Sequence, residues 1–275
     1  MSQASQRLIL FGQPVAHSLS PRIQRAFARQ FDMALDYRLE EVAVEDFERA
    51  ARAFFAAGGL GANVTVPHKR AAFDLADEPS EAALRAEAAN VLRRAADGRL
   101  LADNTDGSGL LADLTGRRGM MLAGRHVLVL GAGGAARGVI GPLLEAGIES
   151  LHIANRTPQR AHDLAAQLDE RVQAVALEAL GALEPVDLVI HATSAGHQHR
   201  QLPLPPGIVD GSSVCCDLSY GEAAEPFLAW ARHNGAGAAF DGVGMLVETA
   251  ADSFELWFGK RPDTEPVYQQ LCNSV

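Results

Sequence analysis

Gly131, Gly133 and Ala136 form the pattern G-x-G-x-x-A, set directly after the apolar run HVLVL and directly before a helical stretch. A turn of this kind suits a pyrophosphate. The first glycine permits the tight turn, the second keeps a Cβ away from the phosphate, and the small third residue lets the helix pack against its sheet. At 155 − 131 = 24 residues past the first glycine, an NAD-binding chain places Asp or Glu, and this chain has Asn155, Arg156 and Thr157. A carboxylate there would repel a 2'-phosphate, whereas the Arg156 guanidinium can pair with one through two charge-assisted bonds. The pattern therefore predicts NADP as cofactor in preference to NAD.

A second set of residues could move a proton. Lys69 follows Thr65 and Pro67 and falls in the first turn of the helix that Pro67 is expected to open toward Leu75. The start of a helix is an unfavourable place for a cation. A lysine there either serves proton transfer or points into solvent beside Arg70, and position alone leaves both open. Asp106 sits in a run of turn formers with Asp103, Asn104 and Gly107, and by itself reads as a turn or cap carboxylate. Ser20 before Pro21 reads as the capping hydroxyl of a helix carrying Ile23, Phe27 and Phe31. Ser18 shares its direction if the segment is extended, so two hydroxyls could face one anion. Asn90 and Tyr220 carry no local signature. No metal is expected at His191, His197 and His199, because no carboxylate or thiol completes a ligand spacing. Cys215 and Cys216 fall in an expected strand and read as core residues.

The elements that must position these groups follow a βαβα rhythm, which argues for an α/β fold of parallel sheets covered by helices. Residues 8–11, 37–40 and 60–66 read as strands. Residues 46–57 read as a helix stopped at Gly58 and Gly59. The turn formers at 103–107 mark a plausible domain boundary. Beyond Gly124 come strands in HVLVL, SLHIANRT, VDLVIHATSAG and SSVCCDLSY, then a short run at 238–240 that leads through DGVGM into a helix ending near Phe258.

Composition sets the outer limits. The chain has 275 residues, enough for two cores, with 48% hydrophobic and 21% charged residues. A formal net charge of −10 without any basic run disfavours non-specific binding to nucleic acid or to an anionic membrane. The three cysteines include no C-x-x-C pair, and the apolar run near the start is too short for a signal peptide or a span, so a reducing cytoplasm is the expected compartment.

Taken together, the motifs SLSP at 18–21, GANVTVPHK at 61–69, DNTDG at 103–107, GAGGAARG at 131–138, NRT at 155–157, ATSAG at 192–196 and DGVGML at 241–246 resemble the shikimate dehydrogenase family. The resemblance implies two α/β domains: residues 1–106 with 240–275 binding substrate, and a Rossmann domain at 107–239 inserted between them. It implies reversible reduction of 3-dehydroshikimate to shikimate by NADPH, by a monomer or homodimer. Lys69 would transfer the proton, oriented by Asp106. Ser18 and Ser20, helped by Tyr220, would hold the substrate carboxylate, while Thr65, Asn90 and Asp106 would hold ring hydroxyls. Gly131, Ala132, Gly133, Gly134, Ala135, Asn155, Arg156 and Thr157 would hold the cofactor, with Leu218 and Gly242 at the nicotinamide. The chain departs from the family pattern at Val91, where a hydroxyl residue usually follows Asn90. Leu218 stands in place of Met and His191 in place of Asn. Thr249 stands where a substrate-contacting Gln is usual, and weakened activity toward shikimate is expected. A quinate/shikimate dehydrogenase and a non-catalytic NADPH-binding regulator are the competing readings.

Overall fold

The computed structural model describes residues 5–193 and 202–273. The first elements are β1 (Gln6–Gly12), α1 (Ser20–Gln30), β2 (Leu35–Glu41), α2 (Phe47–Ala56), β3 (Gly61–Val64), α3 (Lys69–Leu75), β4 (Glu78–Pro79), α4 (Glu81–Ala86), β5 (Val91–Arg94), β6 (Leu100–Asp103) and α5 (Asp106–Leu111). There follow β7 (His126–Leu130), α6 (Gly134–Glu145), β8 (Ser150–Ala154), α7 (Pro158–Ala165), β9 (Val172–Val175), β10 (Leu188–His191), β11 (Val214–Asp217), α8 (Glu225–His233) and β12 (Ala238–Phe240). The chain ends with α9 (Val243–Phe258) and α10 (Glu265–Cys272). These elements form two compact units, one of residues 1–112 with 246–275 and the other of residues 113–245.

In the first unit the sheet order is β2-β1-β3-β5-β6-β4. β1 is an unbroken apolar run because both faces of the sheet are covered. Its alternate residues serve different cores: Ile9 and Phe11 pack with Phe47, Phe55 and Val64, while Leu8 and Leu10 pack with Tyr37, Val91 and Trp257. α9 closes the second of these cores and also lies on α1, where Phe254 meets the rings of Phe27 and Phe31. The sheet is mixed, which corrects the expectation of parallel sheets throughout: β5 runs antiparallel to both β3 and β6. The reason is local. A tight turn, with Gly98 at φ +93° and Ala95 N–H donating to Arg99 O at 2.9 Å, joins β5 to β6 as a hairpin that needs no crossover helix.

In the second unit all six strands are parallel, in the order β12-β11-β10-β7-β8-β9. The order reverses direction between β7 and β10. In sheets of this type ligands bind outside the carboxyl ends of the strands at that reversal. Cys215 and Cys216 are buried in β11, where burial pushes the Cys215 thiol up to about 12.

Three local readings need correction. The strand expected to reach Val66 stops at Val64, and Pro67 does not open the following helix. His68 N–H donates to Thr65 O at 2.9 Å in an intervening turn, so Lys69 itself becomes the first residue of α3. Ser20 is not a cap: it lies inside α1 after Leu19, and it is Ser18 Oγ that accepts the Ser20 backbone N–H at 3.2 Å. Both passages of the chain between units fall six residues later than 106/107 and 239/240, within helical segments. Asp106–Leu111 stays with the first unit, where Ser108 Oγ donates to Asp252, and Phe240 and Gly242 stay with the second, where the Arg118 guanidinium lies 3.3 Å over the Phe240 ring.

Candidate active site

One end of the first sheet collects the polar candidates. β1 and β3 are parallel, so the loop that holds Ser18 and leads to Ser20 at the start of α1, and the turn holding Thr65, leave the sheet at the same end. β5 runs the other way and β6 reverses again, which brings Asn90, just before β5, and Thr105 and Asp106, just after β6, to that end too. Topology therefore gathers residues from four separate stretches of sequence.

At the centre, Lys69 Nζ donates to Asp106 Oδ2. The pair is largely shielded, with side chains 12% and 5% exposed. The partner carboxylate offsets the unfavourable helix start that Lys69 occupies. The other oxygen, Asp106 Oδ1, accepts from Asn90 Nδ2 at 2.8 Å, and the Asp106 backbone N–H donates to Asn104 Oδ1 at 3.1 Å. Asn90 is committed on both sides, since its Oδ1 accepts from Thr105 N–H at 2.9 Å. The carboxylate is thus fixed in orientation, and its ammonium partner with it. A proton donor held in this way is ready for an oxygen that gains negative charge.

A second layer of bonds, none of it read from the sequence, holds this centre. Thr105 Oγ1 donates to Thr249 O at 3.3 Å, and Thr249 Oγ1 donates back to Thr105 O at 3.4 Å. Ser253 Oγ donates to Thr249 O at 2.9 Å and accepts from Asn63 Nδ2 at 2.9 Å. Tyr37 OH donates to Asn63 Oδ1 at 2.8 Å. The only cue available beforehand was that Asn63 and Thr105 are polar residues beside buried strand ends. Val91 makes no side-chain polar contact and packs, 1% exposed, among Leu8, Tyr37 and Trp257. Ser18 and Ser20 bond each other, Ser18 Oγ donating to Ser20 Oγ at 3.1 Å. Beside α3, buried His68 stacks on Phe47 with ring centroids 4.8 Å apart, and burial holds its pKa below the ordinary value despite the bond between Nε2 and Val42 O.

The second unit carries the glycine turn. Gly131 has φ +123°, and a Cβ there would lie 2.8 Å from Ala192 O, so only glycine fits. The start of α6 has Gly133 as its N-cap and no side-chain cap, leaving backbone N–H groups available to an anion. A Cβ at Gly133 would have open space within 4 Å, apart from its chain neighbours. Ala132 is buried, Gly134 and Ala135 are half-buried, and Ala136 is fully buried beneath the helix. At the end of β8, Asn155 Nδ2 donates to Thr157 O at 2.9 Å and shapes the turn. Arg156 is exposed and has no hydrogen-bond or ion-pair partner among the described residues. Leu218 and Gly242 lie against each other: a Cβ at Gly242 would come 2.5 Å from Leu218 O. Tyr220, half-buried, belongs to this unit as well.

His191 is the last residue of β10. Its Nδ1 is 2.7 Å from Asp217 Oδ2, its Nε2 is 2.9 Å from Thr193 Oγ1, and its ring stacks on Phe227. His197, His199 and the last three residues of ATSAG lie outside the described residues. Among the described residues no group of three or more His, Cys, Asp or Glu could hold a metal ion, and no helix is long and apolar enough to cross a membrane.

Comparison with known proteins places these features. Three family models match: the shikimate dehydrogenase substrate binding domain at residues 10–92, shikimate / quinate 5-dehydrogenase at 113–200, and the shikimate 5'-dehydrogenase C-terminal domain at 242–272. A shikimate dehydrogenase (NADP(+)) of Xylella fastidiosa strain M12 is 50% identical over 269 residues, covering 96% of this chain and 95% of that protein. Another from Aeromonas hydrophila is 49% identical over 98% of each chain. Among solved structures, an Ael1 enzyme from Pseudomonas putida is similar with TM-score 0.88 and 44% identity over 97% of this chain and 98% of that one. Shikimate 5-dehydrogenase from Thermus thermophilus, in complex with NADP(H) and shikimate, has TM-score 0.84 and 32% identity over 98% of this chain and 100% of that one. With all three models matched and relatives at half identity over almost the whole length, the chain belongs to the shikimate dehydrogenase family.

Proposed function

We propose that this protein is an NADP-dependent oxidoreductase that interconverts 3-dehydroshikimate and shikimate, with the unit of residues 1–112 and 246–275 binding substrate and the inserted unit binding cofactor. The observation that carries the reading is the shielded Lys69–Asp106 pair, oriented by Asn90, at the sheet end where Ser18, Ser20 and Thr65 also emerge. A protein that only bound ligand would have no use for a proton donor held this way.

The second unit fits the cofactor, because the α6 start is uncapped, Gly131 admits a close approach, and exposed Arg156, unpaired among the described residues, stands beside the β8 turn to meet a 2'-phosphate. Gly131 to Ala135 would lie along the pyrophosphate, with Asn155 and Thr157 at the phosphate end and Leu218 and Gly242 near the nicotinamide. When bound, the dinucleotide supplies a hydride in one direction and accepts it in the other. Lys69 Nζ donates a proton to the substrate oxygen as that oxygen becomes negative, and takes it back in the reverse direction. Asp106 keeps the ammonium in line and accepts from the reacting hydroxyl, and Asn90 keeps Asp106 in place. Ser18 and Ser20 offer paired hydroxyls to the substrate carboxylate. Thr65 and Asn90 serve ring hydroxyls, and Thr249 stands near them with its own hydroxyl turned to Thr105 O.

The protein acts on small molecules in the cytoplasm, as a monomer or homodimer. The test is reduction of NADP followed at 340 nm with shikimate, repeated with quinate and with NAD. Turnover with shikimate and NADP at rates well above the other pairs supports the reading. Preference for quinate would replace the substrate, and absence of turnover with retained NADPH binding would make the protein a regulator.

A further inference from the structure

We infer that Asp252, held in place by Arg261, is a positioning residue for the reaction: through Ser108 it anchors the short helix α5, whose first residue is Asp106. The inference rests on the reading of Lys69 and Asp106 as the proton-transfer pair, and concerns what keeps that pair aligned.

α5 cannot hold itself. It has 6 residues, and a helix so short is unstable in isolation and depends on tertiary contacts. No side chain caps its start, where Thr105 stands as N-cap. Asn90 and Asn104 reach Asp106 from earlier in the chain, so the remaining need is an anchor after it. Two sets of bonds supply a tie to α9, a helix of 16 residues. One is the exchange between Thr105 and Thr249, at 3.3 and 3.4 Å, both long for hydroxyl bonds. The other is Ser108 Oγ, two residues past Asp106, which donates to Asp252 Oδ2 at 2.5 Å. A short bond to a carboxylate is the stronger kind. Ser108 Oγ also lies 3.1 Å from Thr105 O, but a hydroxyl has one proton, and the charged acceptor takes it.

Asp252 is fixed from its other side as well. Its Oδ1 accepts from Arg261, which follows α9 and folds back over Glu248, Asp252 and Glu255. These three acids stand four and three residues apart on α9, so they share one face and repel one another. Arg261 Nη2 lies 3.1 Å from Glu248 Oε2, and Nη1 lies 3.5 Å from Glu255 Oε2. Glu248 is further held by Thr264 Oγ1, which donates to its Oε1 at 2.7 Å. One guanidinium therefore offsets three like charges and pins Asp252 between itself and Ser108. The resulting strap runs from α5 across α9 to the segment before α10, and every residue in it belongs to the first unit. Ser108 and Asp252 act on the reaction only through Asp106 and its partner.

The test separates positioning from folding by reading kcat in two backgrounds. Ser108 is exposed and alanine favours a helix, so Ser108→Ala removes the bond without a cavity or a penalty to α5. It is expected to lower kcat with shikimate about fivefold, while KM and NADPH affinity by fluorescence titration stay within about twofold. Ser108→Thr keeps the hydroxyl and is expected to restore kcat to within about twofold. Asp252→Ala is expected to match Ser108→Ala, and the double variant to lose no more than either alone, with thermal melting as the check on folding. If Asp252→Ala does not fold, Arg261→Met, which frees the carboxylate, takes its place in the cycle. In a Lys69→Ala background Ser108→Ala is expected to cost nothing further, because no ammonium is left to align. Unchanged kcat in Ser108→Ala, no rescue by Ser108→Thr, additive losses in the double variant, or an equal loss in the Lys69→Ala background overturns the positioning role while leaving the proton-transfer reading intact. Near-normal kcat in Lys69→Ala alone overturns both.

Discussion

The two units build their sites from different materials. In the first, the candidate site is a chain of side-chain bonds, two of them closed on backbone groups: Lys69 on Asp106, Asp106 on Asn90, Asn90 on the Thr105 N–H, and Thr105 on the Thr249 carbonyl. In the second, it rests mainly on backbone, through a glycine in a conformation closed to other residues, an uncapped helix start and a lone exposed arginine. The first site must place a reacting atom and a proton within a few tenths of an ångström, which interlocked side chains can do. The second must accept a long, flexible, charged ligand, for which exposed amides and one mobile cation suffice. Damage should accordingly spread in the first and stay local in the second.

The largest effect tests the interlocked site at its centre. Lys69→Ala is expected to lower kcat by about two to four orders of magnitude while leaving NADPH binding nearly unchanged. Steady-state kinetics at saturating shikimate, paired with a cofactor titration, checks both halves, and near-normal kcat would remove Lys69 from the mechanism. Arg156→Ala should raise KM for NADP by about 10- to 100-fold, corresponding to about 1.5 to 3 kcal/mol of charge-assisted bonding, with NAD kinetics almost unaffected. Equal losses with both cofactors would mean that Arg156 supports the turn and not a phosphate.

Thr249→Gln probes the edge of the interlocked site. The new amide offers a donor and an acceptor with a longer reach, and the bond given up, Thr249 Oγ1 to Thr105 O, is long at 3.4 Å. The specificity constant for shikimate is expected to rise about tenfold, measured beside quinate under the same conditions. A fall would show that the Thr105–Thr249 clasp matters more than reach. The smallest effect lies furthest from the chemistry. Ser253→Ala removes the link between Asn63 and Thr249 and should lower Tm by about 2 to 4 °C, with a modest loss of kcat. A stability loss with no kinetic change would mean that the outer bonds support only the fold.

The same contrast explains what could be read in advance. The glycine turn, its strand and its helix are contiguous in sequence, so each residue's job was visible from its neighbours. The Lys69–Asp106 pair is separated by 37 positions, and Ser253 stands 190 positions from Asn63. No local spacing reports such pairs, and only the family resemblance named Lys69 and Asp106 together. Ser20 was misread because a serine before proline looks like a cap, whereas the helix starts at Ser20 itself and Ser18 accepts its N–H. The β5–β6 hairpin went unnoticed because VLRR and LLAD are four-residue strands with no strong alternation. The partners of His191, Asp217 and Phe227, lie 26 and 36 positions away, reached only when β10 and β11 pair and α8 packs beneath them.

The insertion of one unit within the other also sets an order of assembly. During synthesis, residues 113–245 emerge as one continuous stretch and can complete their parallel sheet without help from later sequence. The first unit cannot: Asn63 and Thr105 are made early, yet Ser253 and Thr249 arrive only after the whole inserted unit has left the ribosome. Until then, the strand end that carries Asn63 lacks its partner on α9, and the face of β1 with Leu8 and Leu10 lacks the cover of Trp257. The nascent first unit is therefore the part that would need protection from aggregation, and the last thirty residues decide when its chemistry becomes possible.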